Sequence, residues 1–113
     1  MSNKKLNALV TCEVTEAFLV AMRDRDIAVN LSGWGQTGNI LSSKELIELA
    51  QPCEIVIVET EELNSEVLSA LPNLKFIGVS RGTPVNVDLG FCEQQRIPVV
   101  HTPGRNADSV ADY

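Results

Sequence analysis

One segment has the spacing of a cofactor loop. Gly33-Trp34-Gly35-Gln36-Thr37-Gly38 reads G-x-G-x-x-G, follows a predicted strand, and has Glu59 at the end of the next strand. Such a loop binds a dinucleotide when a helix opens inside it, aiming its N-terminal N–H groups at the pyrophosphate. Here Ser42 and Glu45 form a capping box that places the helix start beyond the last glycine, and bulky Trp34 stands where backbone should approach phosphate. The expectation is a glycine-rich surface turn. Glu13, Glu59 and His101 fall where a phosphoacceptor receiver keeps its acids and lysine, but without the aspartate and the lysine that chemistry has neither nucleophile nor counter-charge. Cys12, Cys53 and Cys92 are odd in number and far apart, which suits neither a disulfide framework nor paired metal ligation. They read as small buried hydrophobes, and no metal is expected.

The elements that position these residues alternate. Short β-branched runs fall at residues 8–11, 27–29, 55–58, 76–79 and 98–100, separated by more residues than a hairpin loop takes. Helical patterns fill the gaps: residues 16–24 with apolar Ala17, Phe18, Val20 and Ala21, the segment opened by Ser42, then residues 65–71 and 87–95. Strands alternating with crossover helices pair in parallel. The expected fold is α/β, a flavodoxin-like three-layer sandwich with a five-stranded parallel sheet, and the uninterrupted Ile55-Val56-Ile57-Val58 suits its centre.

From residue 84 onward the sequence PVNVDLGFCEQQRIPVVHTPGRNADSVADY carries Asn86-Val87-Asp88-Leu89, Ile97-Pro98-Val99, Thr102-Pro103, and Asn106 with Ser109-Val110-Ala111-Asp112. In these residues the chain resembles the D-isomer-specific 2-hydroxyacid dehydrogenases, the family that includes phosphoglycerate dehydrogenase-like enzymes. The likeness is strong after about Leu74 and weaker before it. It implies that residues 1–105 are the N-terminal segment of a substrate domain, that residues 106–113 begin the interdomain helix, which is cut short, and that the nucleotide-binding domain is absent. It also implies hydride transfer between NAD or NADP and a 2-hydroxy or 2-keto acid in the intact protein, with no cofactor held by this chain alone.

Residues 80–84 lie where the family binds the substrate carboxylate on consecutive backbone N–H groups, a nest suited to an anion. Gly82 and Thr83 match the two donor positions, and Arg81 offers a bidentate fork to a carboxylate or phosphate. Where the family has glycines this sequence has Arg81 and Thr83, and Thr83, preceding Pro84, is pushed toward extended geometry. Ser109 matches a position near the nicotinamide; Asn106 and Asp108 suit the same helix start by capping and by charge. The family's acid–base histidine, its carboxylate partner and its substrate arginine all come from the nucleotide-binding domain, so no catalytic residue is assigned here and His101 reads as a polar strand-end residue.

Composition narrows the alternatives. With 113 residues, 44% of them hydrophobic and 21% charged, the chain suffices for one folded domain. Fifteen acidic against nine basic side chains, for a net charge of −6, leave no basic stripe for a nucleic-acid backbone. No apolar run reaches the roughly 20 residues that span a bilayer, and MSNKK has no apolar stretch behind its charges, so a cytoplasmic location is expected. A homodimer is expected through apolar surface that the rest of an enzyme would cover. The competing reading is a free-standing flavodoxin-like module that binds a small anion or a protein partner without catalysis.

Overall fold

The computed structural model describes residues 6–80 and 86–101. Five strands, β1 (Leu6–Val10), β2 (Ile27–Leu31), β3 (Ile55–Val58), β4 (Phe76–Val79) and β5 (Val99–His101), form one all-parallel sheet in the order β2-β1-β3-β4-β5. The α/β flavodoxin-like expectation is met. Between the strands lie α1 (Glu16–Asp24), α2 (Trp34–Thr37), α3 (Ser43–Ala50), α4 (Ser65–Ser69) and α5 (Leu89–Gln95).

Each of the longer helices starts on a side chain that satisfies an otherwise orphaned N–H. Thr15 Oγ1 accepts from Phe18 N at 3.1 Å, Asn64 Oδ1 from Val67 N at 2.9 Å, and Asp88 Oδ1 from Phe91 N at 3.1 Å. At α3 both halves of the capping box are made: Glu45 N to Ser42 Oγ at 3.2 Å and Ser42 N to Glu45 Oε1 at 3.0 Å. The sheet-facing side of α1 is Phe18, Leu19 and Met22, whereas Val20 is 39% exposed. The apolar residues noted for this helix in the sequence, Ala17, Phe18, Val20 and Ala21, lie on several sides of it, so their positions alone do not fix which face meets the sheet.

Strand β3 is central, and Val56 and Val58 are fully buried. They face the larger core, which Leu9, Leu46, Leu63, Val67, Leu68 and Ile77 complete under α3, α4 and α5. The opposite face packs Ala8, Val10, Cys12 and Ile57 against Phe18. The chain moves from β1 outward to β2, then crosses back over β1 to reach β3. Strand order thus reverses between β1 and β3, and in open parallel sheets the crevice beyond the carboxyl ends at such a switch receives ligands. No helix among the described residues is long and apolar enough to cross a membrane.

Candidate functional site

The carboxyl ends of β1 and β3 carry Thr11-Cys12-Glu13 and Glu59-Thr60-Glu61, and the glycine motif lies directly on them. Thr11 N continues the ladder to Ile57 O at 2.8 Å, Gly35 N donates to Thr11 O at 2.7 Å, and the Gln36 carboxamide donates to Cys12 O at 3.0 Å. A four-residue helix, α2, does form inside the motif, against the expectation of a helix only after Ser42. Three of its N–H groups are nevertheless spent within the fold: Gly35 on Thr11, and Gln36 and Thr37 on Gly33 O at 3.0 and 2.9 Å. A pyrophosphate would have to displace those bonds.

Packing, rather than phosphate, explains the glycines. Gly33 is buried with φ +94°, and a Cβ there would stand 2.7 Å from Glu61 Oε2 and 3.0 Å from Thr11 Cβ. At Gly35 a Cβ would fall 2.4 Å from the Cys12 carbonyl carbon, inside any contact distance. Gly38, at φ +79° with nothing within 4 Å of its Cβ position, simply ends the short helix in the left-handed region. Two of the three glycines are thus contact surfaces, not the open surface turn that the sequence suggests.

Beneath Gly33 sits a carboxylate that the sequence did not flag. Glu61 is fully buried and its Oε2 accepts from Leu41 N at 3.1 Å, tying the segment before α3 to the end of β3. Thr11 is fully buried beside it, and its hydroxyl has no hydrogen-bond partner; the buried Thr60 Oγ1 and Asn86 Oδ1 share that property. This edge of the sheet is polar inside.

The segment after β4 is anchored at both ends to β3. Ser80 N donates to Val58 O at 2.8 Å. Where the described chain resumes, the Asn86 carboxamide donates to Glu61 O at 2.7 Å and to Glu59 O at 3.3 Å. Leu63 N donates to Asn86 O at 2.8 Å, Asp88 N to Leu63 O at 3.0 Å, and Leu63 and Val87 form a parallel bridge. Arg81, Gly82 and Thr83 lie outside the described residues, as does Ser109. The two anchors on either side of residues 81–85 are at the carboxyl edge of the sheet, beside residues 59–61.

Of the remaining polar groups, Cys12 faces the smaller core and its thiol is pushed up to about 11, first by burial and then by the negative charge of Glu59, with the Ser80 hydroxyl pulling weakly the other way. A thiol held in that form is no nucleophile at neutral pH. Burial raises Cys53 and Cys92 as well, followed by the charges of Glu54 and Asp88 respectively, and all three cysteines are free. The backbone of His101 closes β5 opposite Val79. No group of three or more metal-ligating side chains is assembled among the described residues. A groove of about 290 Å³ between α1 and β2, lined by Leu19, Arg23 and residues 26–29, lies away from this edge.

Comparison with known proteins agrees with the fold and extends it. The family model described as "D-isomer specific 2-hydroxyacid dehydrogenase, catalytic domain" matches residues 9–113. YoaD of Bacillus subtilis, classed with the 2-hydroxyacid dehydrogenases, is 33% identical over 109 residues, which is 95% of this chain and 32% of that protein. The D-3-phosphoglycerate dehydrogenase of Archaeoglobus fulgidus is 30% identical over 96% of this chain and 20% of its own length. Among solved structures, the TT0316 protein of Thermus thermophilus superposes with a TM-score of 0.77 at 27% identity, covering 88% of this chain and 31% of that one. The chain spans about a third or less of the length of these relatives.

Proposed function

The chain belongs to the D-isomer specific 2-hydroxyacid dehydrogenase family, and from that premise we propose that it is the substrate-binding part of an enzyme that interconverts a D-2-hydroxy acid and a 2-keto acid with NAD or NADP. In this reading the chain supplies one wall of a cleft. Residues 1–105 are the substrate-domain segment, residues 106–113 open the helix toward the nucleotide-binding domain, and that second domain brings the acid–base pair. A nicotinamide cofactor held by that second domain would supply or take up the hydride at C2 of the acid, and the domain's acid–base group would exchange the proton of the C2 oxygen.

The work assigned to this chain is binding and orientation. Backbone N–H groups of Gly82 and Thr83 hold the substrate carboxylate, Arg81 forks onto an anionic oxygen of the substrate, and Ser109 lies beside the nicotinamide. What carries the reading is the family match over residues 9–113 together with the two anchors, at Ser80 and Asn86, at the ligand-receiving edge of the sheet. By itself the chain turns over no substrate and holds no nicotinamide cofactor. It pairs with a second copy through the sheet face that, among the described residues, only α1 covers.

The test is kinetic. The protein that carries this chain together with its nucleotide-binding domain is assayed for NADH- or NADPH-dependent reduction of a panel of 2-keto acids, as wild type and as Thr83→Pro. The substitution deletes one N–H, so KM for the acid should rise by the equivalent of about 1.5–3 kcal/mol with kcat retained. Unchanged KM in a folded variant would remove Thr83 from the carboxylate seat, and wild-type inactivity on every 2-keto acid would remove the reading.

A further inference from the structure

We propose that the outer edge of β2, with the flank of α1 above it, is a self-pairing surface on which a second copy of this chain docks, β2 against β2 and antiparallel. This edge is separate from the sheet face that α1 alone covers, and pairing there does not depend on the enzymatic reading.

The direction of the main-chain groups on β2 is fixed at both ends. Asp26 O accepts from Leu6 N at 3.1 Å, Ser32 N donates to Val10 O at 3.1 Å, and the parallel register with β1 runs without a bulge from Ile27 to Leu31. Alternation along the strand then turns the N–H and C=O groups of Ala28 and Asn30 toward β1, and those of Ile27, Val29 and Leu31 outward. Because β2 ends the strand order, the outward groups meet no other strand among the described residues. Edges of this kind are ordinarily blunted by a charge, a proline or a bulge, and Ile27-Ala28-Val29-Asn30-Leu31 carries none. An antiparallel mate centred on Val29 sets Val29 opposite the second copy's Val29 and Ile27 opposite its Leu31, each pair exchanging both bonds. Leu31, 37% exposed, is covered in the process.

Charge selects a second copy as the mate. Since α1 packs over both β1 and β2, the two-fold that joins the strands sets two α1 helices antiparallel on one face, two strand spacings or about 10 Å apart, which is helix-packing distance. Glu16, Val20 and Arg23 are exposed and follow at i, i+4 and i+7, one stripe of the helix, and Arg23 lines the groove that opens beside β2. From the turn at Arg25-Asp26, Val20 lies about 8 Å along α1 and Val29 about 11 Å along β2, so one two-fold passes close to both. Two such stripes therefore meet Val20 to Val20, with the acidic first turn of each beside the basic last turn of the other. A parallel mate would set Arg23 against Arg23.

The experiment is amide hydrogen exchange of this chain at about 10 µM and about 1 mM, with sedimentation velocity over the same range. Raising the concentration should slow exchange about tenfold at Ile27, Val29 and Leu31, while Ala28 and Asn30, already bonded to β1, stay within about twofold. Val29→Pro deletes one outward N–H and spares the bonds to β1, so it should abolish the slowing at Ile27 and Leu31 with the circular dichroism unchanged. Glu16→Arg and Arg23→Glu each set like charges across the interface and should weaken pairing about tenfold; the double variant Glu16→Arg/Arg23→Glu should restore it. Should Val29→Pro not fold, the charge variants, which lie on an exposed helix flank, decide the matter. Exchange at the three outward amides that ignores concentration, slowing that survives Val29→Pro, or a double variant no better than either single one would overturn the inference. A dimer by sedimentation whose three outward amides stay unprotected would lie on the sheet face and overturn it as well.

Discussion

Replacing Gly33 by alanine should remove a large share of the domain's stability, and the size of the effect follows from two separate penalties. The backbone at Gly33 has φ +94°, where an L side chain costs about 1–2 kcal/mol. The new methyl would also stand 2.7 Å from Glu61 Oε2, and that oxygen cannot simply withdraw because it accepts from Leu41 N. Moving it sacrifices a hydrogen bond to a buried carboxylate, about 1.5–3 kcal/mol. The sum, about 2.5–5 kcal/mol, compares with a total stability of about 5–15 kcal/mol for a domain. At about 4–8 °C per kcal/mol for a domain near this size, the melting temperature should fall by roughly 10 °C or more. Gly38→Ala is the internal control, since φ is again positive, at +79°, but the Cβ meets nothing within 4 Å. It should cost only the backbone share, about 1–2 kcal/mol. Urea unfolding of Gly33→Ala, Gly38→Ala, Glu61→Ala and the Gly33→Ala/Glu61→Ala double variant closes the cycle. With the carboxylate gone, the cost of Gly33→Ala should shrink toward that of Gly38→Ala, the remainder being the contact at 3.0 Å with Thr11 Cβ. Equal costs for the two glycines, or the same cost for Gly33→Ala with and without Glu61, would refute the argument that this motif is a packing device.

Three further outcomes are expected. Ser42→Ala removes one half of the α3 capping box and should lower stability by about 1 kcal/mol in urea unfolding; a loss under a few tenths would mean the box contributes nothing. Because Cys12 is pushed up from 9.0 to about 11 in the folded chain, the unfolded thiol ionises first as pH rises. Its contribution is complete below pH 9 and is lost as pH climbs through 11, about 2–3 kcal/mol in all; a flat urea midpoint across that range would contradict it. Leu9→Ala empties a fully buried site in the larger core and should cost about 2–5 kcal/mol by thermal unfolding, against which a loss below 1 kcal/mol would count.

The sheet was legible because its strands announce themselves twice, by β-branched runs and by gaps too long for hairpins; residues 55–58 and 76–79 were read to the residue. Ser42 and Glu45 were legible because a capping box is local, closed within three residues. What escaped is nonlocal. The short helix at Trp34–Thr37 contains a glycine and follows another, so propensity argues against it, and it rests on bonds from Gly35 and Gln36 to the end of β1, more than twenty residues away in sequence. Glu61 stands in the acidic run 59–62, which reads as solvated surface; its Leu41 partner is twenty residues upstream and nothing nearby signals it. Asn86 was visible as part of a family motif, but its reach to the carbonyls of Glu59 and Glu61 was not. One consequence is practical. Gly35→Ala, the obvious probe of a dinucleotide loop, would drive a methyl to 2.4 Å from the Cys12 carbonyl carbon, so lost binding in that variant would report damage to the fold.

The central claim, that the carboxyl edge after β4 seats the substrate while the glycine motif seats no cofactor, is tested most directly by nuclear magnetic resonance titration of this chain, first with oxamate, a non-reducible 2-keto acid analogue, and then with NAD. The account predicts millimolar oxamate shifts confined to amides of residues 80–86 and the adjoining residues 59–61, and no saturable NAD shifts at residues 33–38. Saturable NAD shifts at Gly33, Gly35 and Gly38, with no response to oxamate after β4, would contradict it.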